Sequence, residues 1–263
     1  MISNLDKPFK KIGAEIKIGD TTRRIASPIT MNIINNDGVE RFELLFRKGV
    51  AREYELSVLE VKAAERHLVL LARRLDSNGT VVAKNHFLCG HDERHLFVAN
   101  VDSVSTVAAA KASLKPELIR ERETGLNSAK RNRRRTREFV RQGEWFFVRA
   151  EIAPTNAVVL KNEPLTRGAG SKPHIAQFAY RIGGEAVKVC RQYPNGISFG
   201  EYKELIEKNP HARHFNWRDM RRNMSVYVKG RISHPDHATV VLDDWHQVLM
   251  NRERRVNAVA FLD

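Results

Sequence analysis

Short runs of apolar and aromatic residues, each closed by turn-forming residues, recur on both sides of one dense block of arginines. That pattern commits most of the chain to strands. Arg41-Phe-Glu-Leu-Leu-Phe-Arg47, Tyr54–Val61 and Leu68–Leu75 lead into Asp76-Ser-Asn-Gly79, a strong turn signal. Thr80–Ala83, His86–Cys89 and His95–Val101 continue the meander. Helix formers then run from a Ser105 or Thr106 cap through Val107–Leu114, and again from Pro116 through Glu123 to Gly125.

Beyond the arginines, Glu144–Ile152 and Ala157–Leu160 read as a strand pair. Gln177–Ile182 and Glu185–Cys190 flank Gly183-Gly184, a two-residue hairpin loop. Ser198 with Glu201 forms a capping box, followed by the apolar stripe Phe199, Tyr202, Leu205 and Ile206 and a stop at Asn209-Pro210. A second short helix is expected from Asn216, carrying Trp217 and Met220. Strands resume at Val226–Ile232, Ala238–Leu242, Trp245–Met250 and Val256–Leu262. The expected fold is α+β and mainly β, in two small modules joined by a helix and a basic linker. The first is a β-meander ending in helices (1–125), then the linker (126–141), then a barrel- or sandwich-like module (142–263) with a helical insertion at 198–223.

The length, 263 residues, allows two modules with real cores, and the formal charge of +14 points to acidic partners. No apolar run approaches the roughly 20 residues of a spanning helix, and the N-terminus carries no apolar leader, so no membrane association is expected. Two cysteines in unrelated contexts, Cys89 and Cys190, exclude a disulfide framework and a four-cysteine zinc site and suit a reducing cytoplasm. No Walker loop, dinucleotide glycine fingerprint, serine elbow or H-E-x-x-H is present, which disfavours the common NTPases, kinases and serine hydrolases.

Arg141-Gln-Gly-Glu-Trp-Phe-Phe-Val148, Lys172-Pro-His174, His234-Pro-Asp-His237-Ala-Thr-Val-Val-Leu242 and Trp245-His-Gln-Val248 resemble a group of bacterial proteins. Those proteins open with Arg-Gln-Gly-Asp or Glu and carry an H-x-x-H turn. His91–Val98 and the Ala-Lys-Ala-Ser-Leu-Lys-Pro116 helix are similar to the longer members, so the likeness covers most of the chain. It implies a small β-barrel or sandwich module and, since the group has no established activity, no function.

Three constellations could carry chemistry. Lys130, Arg131, Arg133, Arg134, Arg135, Arg137 and Arg141 place seven cations within twelve residues, opposed by Glu138 alone. Arginines in such a block suit bidentate phosphate contacts or an acidic protein partner. Arg218, Arg221 and Arg222 would share one face of the second inserted helix, with His211, Arg213, His214 and Phe215 just before it. His234 and His237 flank a Pro-Asp turn that would set their side chains about 5 Å apart, two ligands of a zinc site. His174 or His246 would be the third, with at least three of the four rings bringing nitrogens within about 4 Å of one another. A looser cluster, His86, Cys89, His91, Asp92, Glu93 and His95, sits in the first module. The preferred reading is a basic bacterial, cytoplasmic protein that binds DNA or RNA mainly through phosphates, with no cofactor required. The alternatives are a zinc-dependent hydrolase or nuclease built on the histidines, and an adaptor docking an acidic protein.

Overall fold

The computed structural model describes residues 4–253 apart from 24, 26, 156–157 and 167–171. The fold is α+β and mainly β, with 52% strand against 19% helix, so sheet pairing rather than helix packing positions the functional groups. The described residues form two compact units, 4–136 with 251–253 and 137–250. The expected strand Val256–Leu262 lies outside the described residues.

The first unit opens with a short helix α1 (Asp6–Lys11), which buries Phe9. A three-stranded sheet follows from β1 (Ile16–Thr21), β2 (Ile29–Asn36) and β3 (Val39–Arg47), ordered β1-β3-β2. Asp37 and Gly38, both at positive φ, make the tight β2–β3 turn. β4 (Tyr54–Lys62), β5 (His67–Leu75), β6 (Val81–Asp92) and β7 (His95–Val101) form an antiparallel meander in chain order. The expected breaks inside β6 are absent, and it runs unbroken from Val81 to Asp92. Phe9, Phe42, Leu44, Phe46, Leu68 and Leu70 are fully buried in one apolar cluster that unites α1 with both sheets. Helices α2 (Val107–Ser113), α3 (Glu117–Arg122) and α4 (Ser128–Arg131) close the unit. Thr106 caps α2 by accepting from the Ala109 amide. Lys115 is buried and donates to both oxygens of buried Glu123 and to the Arg131 carbonyl, fastening the start of the basic segment to α3.

The second unit is built on a six-stranded antiparallel sheet, β10-β11-β15-β16-β9-β8. Its strands are β8 (Val140–Gln142), β9 (Trp145–Arg149), β10 (Leu160–Leu165), β11 (His174–Ile182), β15 (Ser225–His234) and β16 (His237–Met250). Among the described residues β8 and β10 do not pair, so the sheet is open and the barrel, one of the two expected forms, is not closed. The intended partner of Glu144–Ile152 also differs: β10 pairs with β11, and β9 pairs with β16.

β16 is long because it serves two neighbours, β15 along its length and β9 with its second half. The β15–β16 register shifts between Val228 and Gly230, where Gly230 adopts φ +84° and a Cβ would lie 2.4 Å from Gln177 Oε1. Such a bulge sharpens the bend of a strand pair. The bend returns the β8–β9 turn to the far end of the sheet, where Gln142 donates to the carbonyls of Ile232 and Ala238. Trp145, Phe147, Ala176, Val226, Val228 and Ile232 fill the core so enclosed.

A three-stranded sheet carries the insertion: β12 (Glu185–Cys190), β13 (Tyr193–Ser198) and β14 (Arg218–Arg222), ordered β13-β12-β14. Gly183-Gly184 therefore does not close a hairpin, because β11 and β12 belong to different sheets. Helix α5 (Phe199–Lys208) starts at the expected capping box, with Ser198 and Glu201 bonded reciprocally. The segment expected to form the second inserted helix is extended instead: Arg218–Arg222 is strand β14, paired residue for residue with β12. Tertiary pairing outweighs local propensity here, helped by cross-strand ion pairs of Arg222 with Glu185 (2.9 Å) and Lys188 with Asp219 (2.6 Å).

Candidate metal centre

Three strand ends meet at one end of the six-stranded sheet. His174 opens β11, His234 ends β15, and His237 opens β16 directly opposite His234 in register. Each offers one potential ligand atom, and these atoms lie within 4.8 Å of one another. The group could hold a metal ion. Zinc bound at 2.0–2.1 Å to tetrahedral nitrogens sets them about 3.4 Å apart. The cluster is therefore somewhat wider than the roughly 4 Å a zinc site demands, with His174 buried and His234 and His237 half-exposed.

The rings form a nearly parallel set. His174 lies 4.1 Å from His234 and 5.5 Å from His237, and the latter two are 4.7 Å apart between centroids. His174 is 1% exposed, and among the described residues neither of its ring nitrogens has a hydrogen-bond partner. Burial of two polar nitrogens without partners is unfavourable unless a ligand satisfies them. His237 Nδ1 is likewise buried and unsatisfied. Burial, then the neighbouring His234 and His237, push the His174 imidazole from its ordinary 6.5 down to about 3. Burial, then His237, also lowers His234. Near neutral pH His174 is thus neutral and keeps one ring nitrogen's lone pair free, as a ligand must.

His234 is tied to its surroundings. Its Nδ1 accepts from the Asp236 amide (3.1 Å), which leaves the proton of the neutral ring on Nε2, facing the Lys172 carbonyl at 3.3 Å. Ligation through Nδ1 would release that amide and keep the Nε2–H on a backbone carbonyl, the usual outer partner of a metal-bound histidine. Both oxygens of the Asp236 carboxylate accept from Lys172 Nζ at 2.8 Å, and its charge acts on both His174 and His234.

Gln142 and Gly143 complete the site, and spacing of ligand types alone did not single them out. The Gln142 amide spans the Ile232 and Ala238 carbonyls, one on each side of the histidine turn, at 3.2 and 2.7 Å. Gly143 has φ +58°, and a Cβ there would lie 2.8 Å from His237 Nε2 and 3.4 Å from His174 Nε2. Both nitrogens face the space that the missing side chain leaves. The signal available in the sequence was Arg141-Gln-Gly-Glu, whose glycine now has a physical reason. The three segments Gln142–Glu144, Lys172–His174 and His234–His237 are thus one constellation in space.

His246 does not join it. It lies nine positions along β16 from His237, with Nδ1 against the Asp244 carbonyl at 2.8 Å. Alternation and the length of the strand carry it away from the turn.

The basic segment is less free than its composition suggests. Arg134 is bidentate to Asp92 and Glu93, and Arg131 donates to the Leu126 and Thr124 carbonyls. Arg137 pairs with Glu138 at 2.6 Å, and Arg141 lies in β8. Lys130 and Arg133 are exposed, and no described residue bonds their side chains; Arg135 is exposed and engaged. The first-unit cluster is consumed by the same contacts: Asp92 and Glu93 hold Arg134, His95 meets Glu40 at 2.8 Å, and His91 meets Arg66 at 3.0 Å. Cys89 is buried in β6, which pushes its thiol well up, and His86 is buried on the opposite face of the same strand. On β14 the three arginines do not share a face: Arg218 and Arg222 alternate with Arg221, which reaches the Gly183 carbonyl at 3.4 Å.

Among the described residues no helix is long and apolar enough to cross a membrane. No protein-family model, no curated protein and no solved structure matches the chain.

Proposed function

We propose that the second unit is a metal-dependent hydrolytic module, with a zinc-like divalent ion on His174, His234 and His237. The convergence of these three rings on one strand-end cluster, with both nitrogens of buried His174 unsatisfied, is the observation that carries the reading. Three protein ligands with one position left for water is the donor set of catalytic rather than structural zinc, and bound water becomes a nucleophile near neutral pH. Gln142 fixes the turn that presents two ligands, and Gly143 keeps the approach to them open. Two carboxylates act electrostatically on His234, Asp236 and then Glu144; Asp236 is held by Lys172, so Glu144, on the same turn as Gly143, is the candidate to accept the water proton.

The test is metal-free protein loaded with zinc and assayed on a chromogenic phosphodiester. One equivalent bound with turnover is expected, and both should be lost in His174→Ala, His234→Ala and His237→Ala. One equivalent bound without turnover would reduce the centre to a structural or sensory metal site.

A second role, nucleic-acid binding through phosphates, is favoured by the net charge of +14 together with exposed cations that no described residue neutralises, Lys130, Arg133 and Arg218 among them. Mobility shifts on single- and double-stranded DNA and on RNA at two salt concentrations test it. Retention of a partner after nuclease treatment would point instead to an acidic protein.

A further inference from the structure

The inserted sheet ends in a column of aromatic rings. Tyr193 begins β13 opposite Cys190, the last residue of β12, and Trp217 immediately precedes β14 on the other edge. Their rings stack at 5.6 Å and 22°. Phe215 continues beyond Trp217 at 6.1 Å and 32°, and Tyr202 of α5 packs edge-on against Trp217 at 5.1 Å. The indole N–H donates to the Ala212 carbonyl at 2.8 Å, which fixes the ring in its plane. These rings are half-buried, and α5, which covers them, buries none of its own residues; Phe199 is 46% exposed. A helix whose apolar stripe stays this open leaves flat aromatic surface in contact with water.

The charges around the column are unbalanced. Arg191 lies in the turn between Cys190 and Tyr193, Arg213 follows Ala212, and Arg218 follows Trp217. All three are exposed, and no described residue bonds or pairs with their side chains. The carboxylates of the insertion are mostly engaged elsewhere: Asp219 with Lys188, Glu185 with Arg222, Glu201 in the Ser198 cap, and Glu204 with Lys208. Fixed rings flanked by free guanidinium groups fit a polymer with flat, unpaired bases and regularly spaced anions. A duplex offers the anions but keeps its bases stacked inside, and an acidic peptide lacks the flat faces.

We propose that Tyr193, Trp217 and Phe215, with Arg191, Arg213 and Arg218, form a docking platform for single-stranded nucleic acid. An unpaired base extends the ring column while the arginines hold the neighbouring phosphates. Nothing in the geometry reads base edges, so sequence preference is weak. The proposal rests on the nucleic-acid reading above and is independent of the metal centre.

The experiment titrates the full chain, in EDTA, with a twelve-residue oligothymidine, a duplex of the same length and polyglutamate, following tryptophan emission. Oligothymidine should quench the wild type strongly. The quench should vanish in Trp217→Phe, which retains Trp145 and Trp245 as internal controls. The triple variant Arg191→Gln/Arg213→Gln/Arg218→Gln changes only exposed side chains. It should weaken binding at least tenfold at low salt and lower the logarithmic salt slope by about 2, near 0.7 per lost phosphate contact on a single strand. Oligothymidine binding with unchanged Trp217 emission and unchanged affinity in the triple variant would place the strand elsewhere and overturn the platform alone. Equal quenching by polyglutamate or duplex would overturn base stacking. Failure of every nucleic acid to bind the wild type would overturn the nucleic-acid reading with it.

Discussion

Replacing Gly143 by alanine tests the metal centre through one methyl group. The added Cβ would stand 2.8 Å from His237 Nε2, whereas ordinary contact begins near 3.4 Å, so the ring must retreat by about 0.6 Å or the turn must move. Backbone strain at φ +58° contributes as well, on the order of 1–2 kcal/mol for a residue with a Cβ. Gly183→Ala separates the two effects, because Gly183 has φ +75° and nothing within 4 Å of its Cβ position. All three tryptophans, Trp145, Trp217 and Trp245, lie in the second unit, so urea unfolding followed by their emission reports that unit selectively. At zinc one hundred times its wild-type dissociation constant, binding should add about 2.7 kcal/mol to unfolding stability. If the displaced ring weakens the site tenfold, the increment in Gly143→Ala falls to about 1.4 kcal/mol. Gly183→Ala should lose stability through strain alone and keep the full zinc increment. Equal zinc increments in the two variants would refute the placement of the ion against Gly143.

Acid should weaken the second unit by a defined route. His174 is held neutral down to about 3, so between pH 6.5 and 3 the unfolded chain binds a proton that the folded chain does not. Stability then falls as pH drops through that window, by at most about 5 kcal/mol, and His174→Leu should flatten that limb in unfolding curves while abolishing zinc binding. Glu144→Gln should lower phosphodiester turnover at least tenfold while leaving zinc affinity, read by chelator competition, within a factor of a few. In the first unit, Lys115→Met strands the buried Glu123 carboxylate and should cost about 3–5 kcal/mol in thermal melts followed by circular dichroism. Lys115→Met/Glu123→Leu should recover most of that loss. Arg133→Gln should reduce the salt slope of duplex binding by about 0.9, whereas Arg134→Gln, already paired with Asp92 and Glu93, should leave it unchanged.

The histidine turn was legible because its chemistry is local: a hairpin turn puts i and i+3 side chains together whatever surrounds it. His174 and His246 were indistinguishable as third ligands because the choice depends on strand order, which brings the start of β11 beside the end of β15. The part played by Gly143 depends on the bend of β16, and curvature from a bulge at Gly230 leaves little trace in a hydropathy pattern. Arg218-Asp-Met-Arg-Arg222 has helix-like composition, and only pairing with β12 makes it a strand. Gly183-Gly184 signals a reversal correctly but says nothing of which sheet receives the next strand. Neutralisation of Arg134 by Asp92 and Glu93, more than forty positions earlier, is invisible to any local reading of charge. β1, β2 and α1 are hard to read locally because their patterns are short: Ile16 and Ile18 alternate over one step, Ile29, Met31 and Ile33 over two, and Leu5, Phe9 and Ile12 mark a helical face of only two turns.

Anomalous diffraction at the zinc edge, from crystals of the full chain grown with one equivalent of zinc, tests the three-histidine metal centre. A single strong anomalous peak is expected at the ends of β11, β15 and β16, bonded at roughly 2.0–2.1 Å to nitrogens of His174, His234 and His237, with a water in the remaining position. A peak elsewhere, or three histidine rings as far apart with zinc present as without it, would rule out a metal centre on these residues.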